Sequence, residues 1–385
     1  MKPRVAIITE IIAPYRVPVF NALAKSSDIE PRIIFLAETD PSLREWRIYS
    51  DEIQFSYDVL PNWRRRILGY NVLVNWGLIR HLDKIRPDIL ICGGYNYLAS
   101  WQAARWCRRH AVPLVLWSES TSHDHRCEYP VIECLKKHFL RNCRAFVVAG
   151  QSASDYLSSL GVSPEAIVTA PDAVDNDFYI QRAHEARIEV ADYRARFDLP
   201  ERFFLYSGRL TKSKGVFDAL DAYASLTPDL RSEVSMVFVG NGAAQAALKK
   251  RAKSISPGRI HFAGFVHRED LPAFYTLAEM LVFPTHSDPW GLVVNEAMAC
   301  GLPVITTSVA GCTADLVENG WNGLVVEAGA IDQLASAMTL LARNREMRNR
   351  FAAHSQEKIS SHSPEACAEG LAAAVELVAG RAAYA

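Results

Sequence analysis

The chain has 385 residues, 49% of them hydrophobic and 22% charged, which excludes a disordered or fibrous protein and allows two or three domains with their own cores. Lys and Arg number 42 against 43 Asp and Glu, so the overall charge selects neither nucleic acid nor any other polyanion as partner. Eight cysteines without a C-x-x-C pair fit buried, reduced thiols of a cytoplasmic protein better than a disulfide framework or a zinc site.

The N-terminus, MKPRVAIITE, carries an apolar run too short for a signal peptide. No stretch approaches the ~20 apolar residues of a membrane span. From there, short β-rich runs alternate with helical patterns, as in parallel sheets covered by helices. In the first half the strands expected are Val5–Thr9, Ile33–Leu36, Ile89–Cys92, Leu114–Trp117, Phe146–Ala149 and Ile167–Ala170. Helical periodicity falls on Val17–Lys25, Val72–Lys84, Leu98–His110, Ile132–Arg141 and Ser152–Leu160. The polar, acidic stretch Pro171–Arg182 breaks the rhythm and reads as a linker.

A second series of strands follows at Phe203–Ser207, Met236–Val239, Ile260–Phe262, Met280–Phe283, Val304–Thr306 and Leu324–Val326. Its helices are expected at Val216–Leu226, Ala243–Lys253, Asp270–Ala278, Val294–Cys300 and Ile331–Arg343. This is an α/β chain of two Rossmann-like domains, residues 1–175 and 176–363, facing each other across a cleft where strand C-termini meet a ligand. The Ala-rich segment 364–385 either caps the second domain or crosses back to the first.

The chemistry concentrates in the second half. Tyr206–Leu220, YSGRLTKSKGVFDAL, leads from a strand through Gly208 and Arg209 to Lys214-Gly215 at a helix start. A planar fork and a point charge beside a helix N-terminus suit a diphosphate; two solvated cations on a loop are the plainer alternative. Gly240-Asn241-Gly242 forms another close-approach loop, weak evidence by itself. In RIHFAGFVHREDLPAFY, Gly264 frees the backbone beside Phe265 and Val266, a combination suited to a flat nucleobase or to an ordinary turn.

Ser287–Gly301, SDPWGLVVNEAMACG, sets Asp288 on a turn and Glu296 eight positions later on a helix. Between them Gly291, Leu292 and Val293 offer backbone N–H groups to a phosphate. The carboxylates repel phosphate and would bind hydroxyls instead, so the pair brackets either a nucleotide sugar or merely a capped surface helix.

In order and spacing, GRLTKSKG, VGNG, IHFAGFV, the D-x7-E pair Asp288/Glu296, EAMACGLPVITT and ENGWNGLVV resemble the C-terminal half of glycosyltransferase family 4, over Tyr206–Glu327. The family is that of retaining, metal-independent transferases with the two-domain GT-B fold. The resemblance implies donor binding by residues 176–363 and acceptor binding by residues 1–175. Arg209 and Lys214 would hold the donor diphosphate, Glu296 the ribose and Asp288 the sugar hydroxyls. Gly208, Gly242, Phe265, Val266, Gly291, Leu292 and Val293 would line the donor. Asp288 replaces the family's usual glutamate. The donor expected is a UDP- or GDP-sugar with no cofactor and no metal; the triplet Asp175-Asn176-Asp177 falls in the hinge.

The first half departs from that pattern. Ile11–Arg16 has none of the family's paired glycines. Arg16 either reaches the diphosphate or an acidic acceptor, or is a solvated cation. Where the family places a histidine, the segment PLVLWSES presents Glu119, with His123 and His125 shortly after. Either Glu119 or His123 takes the histidine's role, and Gly94 and Tyr95 suit the acceptor. Residues 60–150 hold fourteen Lys and Arg against six Asp and Glu, and include Asn62-Trp63-Arg64-Arg65-Arg66-Ile67-Leu68. That segment is either interfacial, at an anionic membrane with a lipid-linked acceptor, or a solvated basic loop. The expected activity is hexosyl transfer to a glycan or lipid-linked saccharide at the cytoplasmic face of the plasma membrane. A non-catalytic nucleotide-sugar-binding protein and a sugar-nucleotide epimerase are the alternatives.

Overall fold

The computed structural model describes residues 2–26, 28–41, 45–67, 70–123 and 130–382. They form two compact units, one of Met1–Ala173 with Pro364–Ala385 and one of Val174–Ser363.

The first unit is built on β1 (Arg4–Thr9), β2 (Glu30–Phe35), β3 (Tyr57–Val59), β4 (Asn62–Ile67), β5 (Tyr70–Asn75), β6 (Ile89–Gly93), β7 (Leu114–Ser118), β8 (Ala145–Val148) and β9 (Ile167–Thr169). Seven of these make a sheet of order β3-β2-β1-β6-β7-β8-β9, parallel throughout. Its central strands are nearly continuous apolar runs because helices cover both faces. The helix Pro364–Ala382 lies against the helix Val17–Lys25 and strands β8 and β9, burying Cys367, Leu371, Val375 and Val378 in the first unit's core. Close approach at Gly370 permits this, since a Cβ there would stand 2.4 Å from the Thr169 carbonyl oxygen.

Strands β4 and β5 pair antiparallel as a separate hairpin, where the sequence suggests loop and then helix. Val72 and Val74 alternate with buried Leu73, and Gly77 at φ +82° ends the extended run before the helix Leu78–Ile85. The expected helix Val72–Lys84 is therefore a strand, a glycine and a shorter helix. Period-2 alternation also separates Arg64 from Arg65. Arg64 turns inward, 3.1 Å from Glu10 and paired with Asp40, while Trp63 and Arg65 share the exposed side.

The second unit carries β10 (Phe203–Ser207), β11 (Ser235–Val239), β12 (Ile260–Gly264), β13 (Met280–Phe283), β14 (Val304–Thr307) and β15 (Gly323–Val326). They form a parallel sheet of order β12-β11-β10-β13-β14-β15. Of the stretch read as a linker, residues 171–175 have no regular structure and contain the boundary between the units, whereas 176–182 belong to the helix Asn176–Ile188, with Asp175 accepting the Phe178 N–H at 3.0 Å as N-cap. Its acidic start marks a helix entry rather than a loop. Asn176 also donates to the carbonyls of Ile359 and His362 at 3.1 and 3.2 Å, tying the unit's first helix to its last turn.

Candidate active site

In an open parallel sheet, ligands bind beyond the strand C-termini where the strand order reverses. In the second unit that point lies between β10 and β13, and the loops after these two strands carry Arg209, Lys214 and Asp288. Tyr206, fully buried on β10, places its hydroxyl 3.2 and 3.1 Å from the carbonyls of Arg209 and Lys214, fixing the loop's curvature. Gly215 sits at φ +67°, and a Cβ there would stand 1.7 Å from the Pro284 carbonyl oxygen. The Ser213 carbonyl accepts the N–H groups of His286 and Ser287 at 2.9 and 3.2 Å. These contacts sew the two loops together and leave the Lys214 ammonium 2.6 Å from Asp288 Oδ2 and 2.8 Å from the Ser287 carbonyl oxygen. Arg209 is exposed beside them.

The Asp288 turn is anchored on its other side. Gly311 donates to the Asp288 carbonyl at 3.0 Å, Cys312 to that of Trp290 at 3.0 Å, and Trp290 Nε1 to Asn295 at 2.9 Å. Gly291, at φ +105° and packed on Phe283, opens the helix Leu292–Ala299. The N–H groups of Leu292 and Val293 thus fall in a first turn, where no preceding carbonyl exists for them.

Glu296 lies one turn further on. Its Oε2 accepts from the Tyr275 hydroxyl at 2.6 Å, and Tyr179 hydrogen-bonds the same carboxylate. Burial pushes the carboxyl up to about 7, against the pull of both phenols. Gly208 and Gly242 serve the loops themselves. Gly208 donates to the Val239 carbonyl at 3.1 Å, and a Cβ on Gly242 would stand 2.3 Å from the Leu210 carbonyl oxygen. Phe265 and Val266 are half-buried after β12, the Phe265 ring edge-on to His267 at 5.1 Å.

In the first unit the order reverses between β1 and β6. Arg16 follows β1, Gly94 and Tyr95 follow β6, and Glu119 follows β7. Arg16 is not a solvated cation. It is buried, paired with Glu119 and with Asp172 at 3.2 Å, and its guanidinium lies 4.0 Å from the Trp117 ring centroid. Its two carboxylates keep it charged, while burial and the nearby Glu119 push Asp172 above the usual carboxylate range. Glu119 itself remains 43% exposed. Gly94 takes φ +97°, and Tyr95 packs on Phe139 while its carbonyl accepts Trp101 Nε1 at 3.1 Å. His123 is exposed; His125 lies outside the described residues.

Among the described residues no group of His, Cys, Asp or Glu is arranged to hold a metal ion, and Asp175 of the acidic triplet is committed to its cap. Five cysteines, 92, 107, 300, 312 and 367, are buried and free. No helix among the described residues is long and apolar enough to cross a membrane. Sequence reasoning missed Tyr275, Tyr179, Ser207 and the His286–Asp218 pair, at 2.7 Å. Tyr275 stood inside a quoted motif, but only the folded backbone turns it toward Glu296.

Two α/β units, one with cations and carboxylates gathered at its sheet's switch point, define a glycosyltransferase with the GT-B fold. The chain belongs to the group 1 glycosyltransferases: residues 191–358 match the family "Glycosyl transferases group 1" and residues 20–178 match "Glycosyltransferase Family 4". Alpha-D-kanosaminyltransferase of Streptomyces kanamyceticus is 29% identical over 269 residues, 67% of each chain. The 2-deoxystreptamine glucosyltransferase of the same organism is 28% identical over 231 residues, 59% of this chain and 58% of that one. The match therefore spans about three fifths to two thirds of these curated relatives' length. Among solved structures, Anabaena HepE in complex with UDP-glucose superposes with a TM-score of 0.74 at 18% identity, covering 97% of this chain and 99% of that one. A glycosyltransferase from Rickettsia africae gives 0.76 at 14% identity, covering 98% and 99%. At such identities the likeness shows the fold alone.

Proposed function

We propose that the protein moves a hexosyl group from a UDP- or GDP-sugar to a hydroxyl of a glycan or lipid-linked saccharide, with retention and without a metal. The observation that carries this reading is the joined loop pair after β10 and β13, with Lys214 against Asp288 and Glu296 on the helix that follows. HepE, a neighbour in fold, has been solved with UDP and with UDP-glucose.

Heterolysis of the C1–O bond adds about one negative charge to a diphosphate that already carries two. Arg209, Lys214 and the N–H groups of Leu292 and Val293 would meet that charge as it develops. A phosphate oxygen arriving at Lys214 competes with Asp288 for the ammonium, which frees the Asp288 carboxylate for sugar hydroxyls. Binding and orientation of the sugar are thereby coupled through one ion pair. Glu296 takes the ribose hydroxyls. On the acceptor side, Glu119 takes the role of the family's histidine, held in place by its salt bridge to Arg16.

Incubation with UDP- and GDP-sugars, alone and with saccharide or aminocyclitol acceptors, tests the reading. The expected result is nucleotide release that requires acceptor, an unchanged anomeric configuration and no loss in EDTA. Lys214→Met and Glu296→Gln should each lower turnover about 10- to 100-fold, as expected for loss of a charged hydrogen bond. Near-normal rates in both refute the site.

For the membrane, the outward side of the β4–β5 hairpin supplies Trp63 and Arg65. Arg64 does not belong to that surface, so the informative variant is Arg65→Glu. It should lose co-sedimentation with phosphatidylserine vesicles at ~1 kcal/mol per charge. Unchanged sedimentation removes the membrane from the proposal.

A further inference from the structure

Around Glu296 the second unit spends more polar groups than a helix surface needs. Tyr275, on the helix Leu271–Leu277, is fully buried. Its hydroxyl lies 2.6 Å from Glu296 Oε2 and 3.0 Å from Ser207 Oγ. A carboxylate only accepts and a phenol has one proton. The phenol therefore donates to Glu296 and takes the Ser207 hydroxyl as its own donor. Tyr179, from the helix Asn176–Ile188, holds the same carboxylate. Ser207 is the last residue of β10 and immediately precedes Gly208 and Arg209. A hydrogen-bonded path, Ser207–Tyr275–Glu296, thus joins the loop assigned to the diphosphate to the carboxylate assigned to the ribose.

We infer that Tyr275 is a positioning residue for the donor's ribose, fixing the Glu296 carboxylate at a set distance from the phosphate-binding loop. This rests on the reading of Glu296 under the proposed function. Without the phenol, Tyr179 alone holds the carboxylate, which can then turn about that one hydrogen bond away from a ribose diol. With it, one oxygen is held in place and the carboxylate plane is fixed before ligand arrives, so the ordering cost of binding is lowered. Ser207 extends the constraint to the strand end, so that a nucleoside diphosphate meets both subsites in register. Tyr275 touches the carboxylate and acts through it.

Calorimetric titration of UDP and 2′,3′-dideoxy-UDP, with the guanosine pair in parallel, separates this inference from the reading beneath it. Wild-type protein should bind the ribonucleotide of one base about tenfold or more tighter than its dideoxy analogue. If it binds neither base, or does not discriminate, the ribose assignment of Glu296 fails and the inference with it. Tyr275→Phe should weaken the ribonucleotide about tenfold while leaving the dideoxy analogue unchanged, so the discrimination collapses. If both ligands weaken equally, Tyr275 is only a packing residue and the inference is overturned; unchanged binding overturns it too. Should Tyr275→Phe fail to fold, Ser207→Ala gives the same readout, with a smaller loss of discrimination expected. No loss there refutes the path.

Discussion

Replacing Arg16 by Met tests whether this cation holds the first unit together or waits for a ligand. Its side chain is 8% exposed and that of Asp172 4%, so the substitution strands a carboxylate in the interior. Removing one partner of a buried pair costs about 3–5 kcal/mol. Met keeps part of the apolar contact with Trp117, which argues for the lower half of that range. The stranded Asp172 can limit the cost by taking up a proton. In the variant its carboxyl rises further above the usual range than in the wild type. The variant's native state then holds a proton that the unfolded chain lacks, and its stability falls as pH rises through the folded-state pKa. The deficit against wild type should therefore be larger at pH 8.5 than at pH 6. Arg16→Met/Asp172→Asn removes the charge altogether and should recover part of the loss at the higher pH. Urea unfolding, followed through the transition of the first unit, measures these differences. A single-variant loss below about 1 kcal/mol, or a double variant no better than the single at pH 8.5, would refute the argument. A stable Arg16→Met protein with weakened donor binding would restore Arg16 as a ligand.

Gly215→Ala should cost more than about 2 kcal/mol and abolish donor binding, because φ +67° is strained for alanine and its Cβ meets the Pro284 carbonyl at 1.7 Å; differential scanning calorimetry with a UDP-glucose titration checks both. The Glu296 carboxyl, at about 7, predicts weaker UDP-glucose binding as pH falls from 8 to 6, since the neutral acid is the poorer acceptor for ribose hydroxyls. The groups facing it are Tyr275, Tyr179 and the Cys300 thiol, with Arg268 acting on Tyr179; none of them loses a proton in that window, so Glu296→Gln should flatten the dependence. Asp175→Ala should cost about 0.5–2 kcal/mol through the lost N-cap, read as a shift of the second unit's urea midpoint, with no change in metal binding by calorimetry.

The strands, and the placement of the residues proposed for the donor, were legible because they are local. Arg209, Lys214 and Asp288 each sit in the loop directly past a strand, with Glu296 on the helix that follows, and a parallel sheet carries such loops to one edge. Their pairing was not legible. Lys214 and Asp288 are 74 residues apart and meet only because β10 and β13 are neighbours, a fact of strand order that no local pattern encodes. Tyr275 illustrates the same limit: its helix was expected, but nothing in the motif tells which face meets Glu296. The hairpin was misread for a different reason. Val72, Leu73 and Val74 satisfy helical and alternating patterns equally over so short a run, and only Gly77 separates strand from helix.

The two units treat the same position in opposite ways, and this bears on the chemistry. After β10, the first strand of the second unit, Arg209 remains exposed. After β1, Arg16 is enclosed by Asp172 and Glu119, so a phosphate there would compete with two carboxyl groups for one cation. The paired glycines missing from Ile11–Arg16 fit that competition, since a backbone cradle for phosphate beside two carboxylates would be opposed by their charge. Under the proposed function, the diphosphate's developing charge then falls to Arg209, Lys214 and the Leu292 helix start. What the first unit contributes is a half-exposed carboxylate, Glu119, held by a buried guanidinium. Such a group suits a hydroxyl or a cationic acceptor and repels an anionic one. The same protein that loses turnover with Glu119→Gln should therefore retain donor affinity in a UDP-glucose titration, and a matching loss of both would place Glu119 on the donor instead.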